Sequence, residues 1–317
     1  MNISRLSNCV AKGSDFLDQN QLYSGEFRSY VSKDEAMESV ASVDSCTFVT
    51  SCILCSLSFV DDPGLTAMKC AAFKFLIEEM KPPGVWKYFS QRYPILIDPD
   101  LDDTALASFV LRDLHPHIQA GRNLDIILGH RNSDGLFFTW MKDANETNDV
   151  DAVVNANVLL YLGETEETRV VSDYLNAIIA DHRESETYYY YLDDLALHHA
   201  VSRAYFNGVK SLEAVKDSII SRTAARQRGD GSFGNELLTA LALCSLFNYS
   251  CDDMILVDRG IDHLMDSQRG NGAWPRRAYY AGPLPSGPYE AWYGSEELTT
   301  AFCLEALTRY QALIGLK

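Results

Sequence analysis

The chain lacks any uninterrupted apolar run of the roughly 18 to 20 residues that a helix needs to cross a bilayer, so no membrane span is expected. Its first residues, MNISRLSNCVAKGSDFLDQ, lack both the continuous apolar core and the small-residue cleavage site of a secretory signal. A cytoplasmic address is the expectation, and weak association with a membrane surface stays open. Basic residues are scarce as well. Only 27 Lys and Arg stand against 44 Asp and Glu, a net charge of −17, so the chain has little with which to release counterions from a phosphate backbone. Nucleic acid is excluded as a partner on that ground. Cys52 and Cys55 form a C-x-x-C pair but have no second pair at zinc-ribbon spacing. The eight cysteines sit mostly in apolar helical contexts, where a reduced thiol packs as a small hydrophobe, and we expect no disulfides.

What the chain does have is 47% hydrophobic content, enough for a large core, and a repeat. A polar residue, three spacers, Gly, any residue and an aromatic recur at Gln21/Gly25/Phe27, Met80/Gly84/Trp86, Arg131/Gly135/Phe137, Gln227/Gly231/Phe233 and Gln268/Gly272/Trp274. The gap between the third and fourth copies is about twice the others, and a degenerate copy at His182 to Tyr188 fills it. Between turns, apolar residues recur with helical period at Asp103 to Leu114, Val153 to Tyr161, Val170 to Ala180, Leu237 to Phe247 and Leu298 to Tyr310. The spacing leaves room for two helices per unit, giving one all-α domain over residues 1–317 made of six helical hairpins. Gly supplies the positive-φ turn, the aromatic covers the junction, and Gln hydrogen-bonds exposed backbone groups. On this reading Trp86 and Trp274 are structural. An acid opens the second helix of each unit, at Asp44, Asp103, Asp151, Asp193 or Asp194, Glu236 and Glu297, matching the positive helix terminus.

Asp100 and Asp102 exceed that pattern. Three carboxylates in four positions, in the run Asp98-Pro99-Asp100-Leu101-Asp102-Asp103-Thr104-Ala105, cannot all ionise freely if shielded from water. At least one should keep its proton near neutral pH, which makes the cluster a candidate Brønsted acid. The alternative for the same residues is a helix cap flanked by solvated neighbours.

Asp100-Leu101-Asp102-Asp103-Thr104-Ala105 resembles the DxDDTA signature of class II terpene cyclases, and Gln268-x-x-x-Gly272-x-Trp274 resembles their QW repeat. The length accommodates one α-barrel domain, so the chain is most similar to the single-domain members. The resemblance implies an α6/α6 toroid of the terpenoid cyclase and prenyltransferase type with the acid motif at one mouth. It also implies Asp102 as the proton donor, oriented by Asp100 and Asp103. The activity implied is metal-independent, with no cofactor. It is protonation of the terminal alkene of a lipophilic, linear prenylated substrate, such as a geranylgeranylated dihydroxybenzoate, followed by cationic polycyclisation to a meroterpenoid. No DDxxD run supplies the carboxylates that Mg²⁺-dependent diphosphate ionisation would use.

Carbocations are best faced by aromatic rings, whose π clouds attract positive charge without a trapping lone pair. Trp140, Tyr188 to Tyr191, Tyr279, Tyr280, Tyr289, Trp292 and Tyr293 are the candidates. Several of these fall in a long connection, Arg276 to Gly294, which with Lys87 to Pro99 is expected to form a lid or binding element at the mouth. Asn155 and Asn157 are candidates to anchor a polar head group. His198 and His199 could bond the acid or take the final proton, although a satisfied core histidine is the simpler reading. Arg276 and Arg277 could pair with a substrate carboxylate. Two other functions compete: a zinc-dependent protein prenyltransferase β-subunit-like chain using Asp44, Cys46 and a histidine, and a non-catalytic α/α binding module.

Overall fold

Two kinds of helix alternate along the chain, distinguished by how much of their circumference is apolar. The computed structural model describes residues 3–93, 95–112, 123–143, 145–283 and 289–315. In chain order the elements are α1 Ile3–Asn20, β1 Ser29–Ser32, β2 Val40–Asp44, α2 Thr47–Leu57, α3 Thr66–Glu79, α4 Leu101–Leu111, α5 Leu124–Gly129, α6 Ala152–Leu162, α7 Arg169–Ala180, α8 Asp194–Phe206, α9 Lys216–Ala225, α10 Glu236–Asn248, α11 Met254–Ser267, β3 Tyr280–Pro283, β4 Tyr289–Gly294 and α12 Glu296–Leu313. Every residue of α2 is buried, and α6, α8, α10 and α12 are buried almost all round. In contrast α7 buries the single stripe Val171, Ser172, Leu175, Ile178 and Ile179, and α11 the stripe Leu256, Val257, Gly260, Ile261, Leu264 and Met265. Helices apolar on all sides must lie inside and one-sided helices outside. The inner helices pack in the order α2, α4, α6, α8, α10, α12, and α12 returns to pack on α2.

The repeated turns clamp neighbouring helices. Gln268 Nε2 donates to Gly272 O and to Cys9 O of α1, both at 2.9 Å. Gln21 bridges Gly25 O and Met68 O of α3 in the same way, and Gln227 bridges Gly231 O and Leu256 O of α11. Gly272 has φ +91°, and a Cβ there would stand 2.1 Å from Lys12 O, so only glycine lets the turn lie against α1. A further regularity went unseen in the sequence. The backbone N–H of each turn aromatic donates to a side chain near the start of the next inner helix: Phe27 to Thr50, Trp86 to Thr104, Phe137 to Asn155, Phe233 to Thr239 and Trp274 to Thr300.

The acids expected at the inner-helix starts are in place except at α2. Asp151 and Asp193 are the caps of α6 and α8, and Asp103, Glu236 and Glu297 stand in the first turns of α4, α10 and α12, whose capping side chains are Asp100, Asn235 and Ser295. Asp44 caps nothing: it ends β2 and accepts from Tyr93 OH at 2.7 Å, while Cys46 stands at the start of α2 without a capping bond.

The all-α expectation fails at the mouth. A four-stranded antiparallel sheet in the order β2-β1-β4-β3 lies there, with Tyr30 opposite Gly294, Val31 opposite Tyr293 and Ser32 opposite Trp292. The Arg276 to Gly294 connection is thus a hairpin added to strands from near residue 30, and residues 284–288 of it lie outside those described. Among the described residues no helix is long and apolar enough to cross a membrane.

Candidate active site

The start of α4 is fixed by the two turns beside it. Asp100 N donates to Trp86 O at 3.2 Å, Leu101 N to Thr139 O at 2.8 Å, and Met141 N to Pro99 O at 2.9 Å. On this base the three carboxylates diverge. Asp100 turns back to cap the helix, its Oδ1 accepting from Asp103 N at 2.7 Å. Asp103 accepts from the Thr47 hydroxyl of α2. Asp102, one residue on from the cap's neighbour, points inward: its Oδ1 accepts from Asn157 Nδ2 at 2.6 Å and its Oδ2 from Tyr191 OH at 2.5 Å.

Asp102 lies far below the protein surface yet keeps part of its own surface uncovered, because it faces a chamber. That chamber encloses ≈ 440 Å³, counted with its opening to solvent, and is walled by Phe48, Tyr88, Trp140, Val154, Tyr190, Tyr191 and Tyr280 together with the three carboxylates and Thr139. The rings support one another. Tyr280 packs edge-on to Phe48 at 4.9 Å between centroids and stacks on Tyr293 at 5.2 Å, and Tyr279 meets Tyr191 edge-on at 5.3 Å. Tyr280 OH, Tyr88 OH and Ser29 Oγ form a hydrogen-bonded cluster at 2.8–3.3 Å that ties β3 and β1 to the connection before α4. Trp140 Nε1 donates to Tyr190 OH at 2.8 Å, and that hydroxyl donates to Asp149 at 2.8 Å.

Burial disfavours all three charges. It holds Asp100 well above the usual aspartate range, with Asp103 adding to the effect, and pushes Asp103 up to about 7. Asp102 is also raised by burial, but Tyr191, Asn157 and Arg203 pull against the rise. Three buried carboxyls therefore share fewer than three charges at neutral pH, and the member facing the chamber has donors in place to receive its anion once its proton leaves.

Of the residues singled out from the sequence, Asp100, Asp102, Asp103, Trp140, Tyr190, Tyr191 and Tyr280 meet at the chamber, Asn157 holds the acid, and Tyr279 backs the wall. Four do not. Asn155 is consumed by the turn, accepting from Phe137 N and donating to Phe137 O and Asp151 O. Tyr188 donates to Asp194 at the start of α8, away from the cavity. His198 contacts Glu184 at 3.2 Å, and Glu184 is also held by Arg222, so this histidine braces helices. Trp292 lies in β4 between Ser32 and Ala281, on the strand face opposite Tyr293. The Tyr289 side chain lies outside the described residues. Arg276 and Arg277 are taken by Glu296 and Glu236, so neither is aimed at a ligand. Phe48, Tyr88 and Val154 were missed. Phe48 had a signal, since it falls two residues after Cys46 at the start of α2, the register that Asp102 holds after Asp100.

The metal-binding alternative finds no site where it was expected, with Asp44 bonded to Tyr93 and His198 to Glu184. Elsewhere, donor atoms of His199, Cys244 and Glu305 lie within 4.8 Å of one another and all three residues are buried. Arg309 already pairs with Glu305 at 3.1 Å, and Arg203 and Arg309 both oppose positive charge at His199, so a divalent cation would enter a region already short of anions.

Over residues 54–164, about a third of its length, the chain matches the sequence profile of the sesquiterpene cyclase astC-like C-terminal domain. No curated protein sequence matches it. Among solved structures it is similar to the apo type II terpene cyclase MstE from Scytonema, with 18% identity and a TM-score of 0.78 over 99% of this chain and 100% of that one. A variant of MstE in complex with its substrate, geranylgeranyl dihydroxybenzoate, gives 19% identity and a TM-score of 0.77 over 98% of both chains. An α-mannanase from Bacteroides thetaiotaomicron is similar at 12% identity and a TM-score of 0.63 over 98% and 97%, so this architecture alone does not set the chemistry. Along its whole length, then, the chain has the fold of the type II terpene cyclases, and over the matched third its sequence follows a terpene cyclase domain.

Proposed function

We propose that the chain is a single-domain class II terpene cyclase that protonates the terminal alkene of a prenylated substrate and guides cationic ring closure. The observation that carries this reading is Asp102: one carboxyl, hydrogen-bonded on both oxygens, facing a chamber otherwise walled mainly by rings. The closed order of inner helices, with outer helices packed behind α2, α6, α8, α10 and α12, supports an α6/α6 toroid.

An isolated alkene is a weak base, so the donor must be shielded from water and its conjugate base stabilised in advance. Asp102 gives its proton to an alkene carbon, the π electrons form the new C–H bond, and the cation is left on the neighbouring carbon. The carboxylate that remains already accepts from Tyr191 and Asn157. Successive alkenes attack the cation, and Trp140, Tyr191, Tyr280 and Phe48 offer π faces as it moves. Loss of a proton ends the sequence, so product and substrate have equal mass.

The MstE complex supports a geranylgeranylated dihydroxybenzoate or a similar prenylated aromatic acid as substrate and a meroterpenoid as product. Such a molecule partitions into lipid, which fits weak membrane association, and the eight free cysteines fit a reducing, cytoplasmic setting. Incubation with geranylgeranyl dihydroxybenzoate should yield an isomer by mass spectrometry, and Asp102→Asn should slow its formation by about 10³-fold or more. Wild-type turnover in that variant would remove Asp102 from the mechanism.

A further inference from the structure

Arg203 on α8 lies beneath the chamber, 7% exposed, and no carboxylate among the described residues is within ion-pair distance of it. Its Nη2 donates to Asn157 Oδ1 at 2.8 Å, and its Nε is buried without a partner. A guanidinium only donates, so it binds the oxygen of the Asn157 amide and thereby turns the amide NH₂ toward Asp102, where Nδ2 donates at 2.6 Å. The chain of contacts has one sense, from cation to amide to acid.

The surroundings leave the charge with few anions. Cys52 and Cys55 on α2 face Arg203, as do Tyr279 and Glu305. Glu305 is already paired with Arg309, burial keeps both thiols protonated, and burial, then Arg203 and Arg309, hold His199 neutral. Around Asp102 stand Asp100 and Asp103 on its own element, Cys52 on α2, Asp151 before α6, Tyr191 before α8 and Tyr279 before β3. Of these neighbours Arg203 is the cation acting on the acid, and the carboxylate formed when Asp102 loses its proton is the anion left to balance it.

We propose that Arg203 is a positioning residue for the acid: it locks the Asn157 amide toward Asp102 and its buried charge favours the carboxylate form, making Asp102 a stronger donor. This rests on the cyclase reading for its purpose but not for its test. The titration of Asp102 can be followed without substrate, by ¹³C NMR of aspartate labelled at the carboxyl carbon, with Asp102→Asn assigning the resonance. With one amide between the guanidinium and the acid and an effective dielectric near 20, removing the charge should raise the Asp102 midpoint by about one to two pK units. Arg203→Gln is expected to show that rise, Arg203→Lys to reverse most of it by restoring charge, and Asn157→Leu to raise the midpoint with the guanidinium still in place. If Arg203→Gln does not fold by circular dichroism, the lysine and Asn157→Leu arms decide, lysine keeping the midpoint near wild type and Asn157→Leu moving it. An unmoved midpoint in Arg203→Gln or Asn157→Leu, or an equal rise in the lysine and glutamine variants, overturns the proposal. Absence of any isomer from the wild-type protein would sink the cyclase reading and leave the titration result standing. Where isomer does form, kcat in Arg203→Gln should fall by about 10-fold or more with KM little changed.

Discussion

Asn155 and Asn157 stand two residues apart on α6 and serve unrelated purposes, one closing a turn and the other holding the acid. Sequence alone gave them equal standing, because both fall near the start of an inner helix. The threonines in the equivalent place of four other turns distinguish them: Asn155 does what Thr104 does for Trp86, accepting from the aromatic N–H and donating to its carbonyl. We therefore expect Asn155→Thr to unfold within about 1 kcal/mol of wild type in urea and Asn155→Ala to lose about 2–4 kcal/mol, the cost of leaving buried groups unbonded. Asp103 gives a pH prediction. Burial raises it from the ordinary 3.8 to about 7, so the folded state holds this proton more tightly than the unfolded chain does. Its contribution to stability is complete below about pH 4 and is lost as pH rises through about 7. The Tm should fall across that window, and Asp103→Asn should flatten the slope. An equally steep slope in the variant would show that Asp103 does not set it.

At the scale of elements, helices were legible because their 3.6-residue apolar period is written locally, and the turns because glycine and aromatic residues recur. The sheet was not. β1 and β3 have four residues each and β4 six, too short for alternation to stand out, and β1 finds its partner β4 across most of the chain. Tyr88 escaped notice for a related reason: its place in the wall depends on which turns the ring brings together. The QxxxG turns yield a graded prediction. Gly272→Ala forces a side chain to φ +91° and onto Lys12 O, so it should destabilise by about 2–4 kcal/mol in urea. Gln268→Ala, which loses two hydrogen bonds at a half-buried site, should cost about 1–3 kcal/mol. A Gly272→Ala protein as stable as wild type would mean the turn does not lie against α1 as described.

For the whole molecule, the return of α12 onto α2 makes every inner helix depend on two neighbours, which argues for one domain that melts as a unit. Circular dichroism and tyrosine fluorescence should report coincident transitions, and a stable partial ring at intermediate denaturant would contradict this. The proposed chemistry draws on carboxyls and rings, so isomer formation should survive exhaustive treatment with chelators. Inactivation that zinc or magnesium reverses would bring the metal-dependent alternative back.

The four tryptophans are placed unequally. Trp86 and Trp274 are sealed at 0% exposure and Trp292 belongs to the sheet, whereas Trp140 borders the cavity with its indole on Tyr190. A Trp292→Phe protein would therefore carry a built-in optical probe, because a hydrocarbon settling against that one accessible indole should alter its emission while the two sealed residues supply a constant background. Occupancy could be read in real time with unlabelled lipids, independently of turnover.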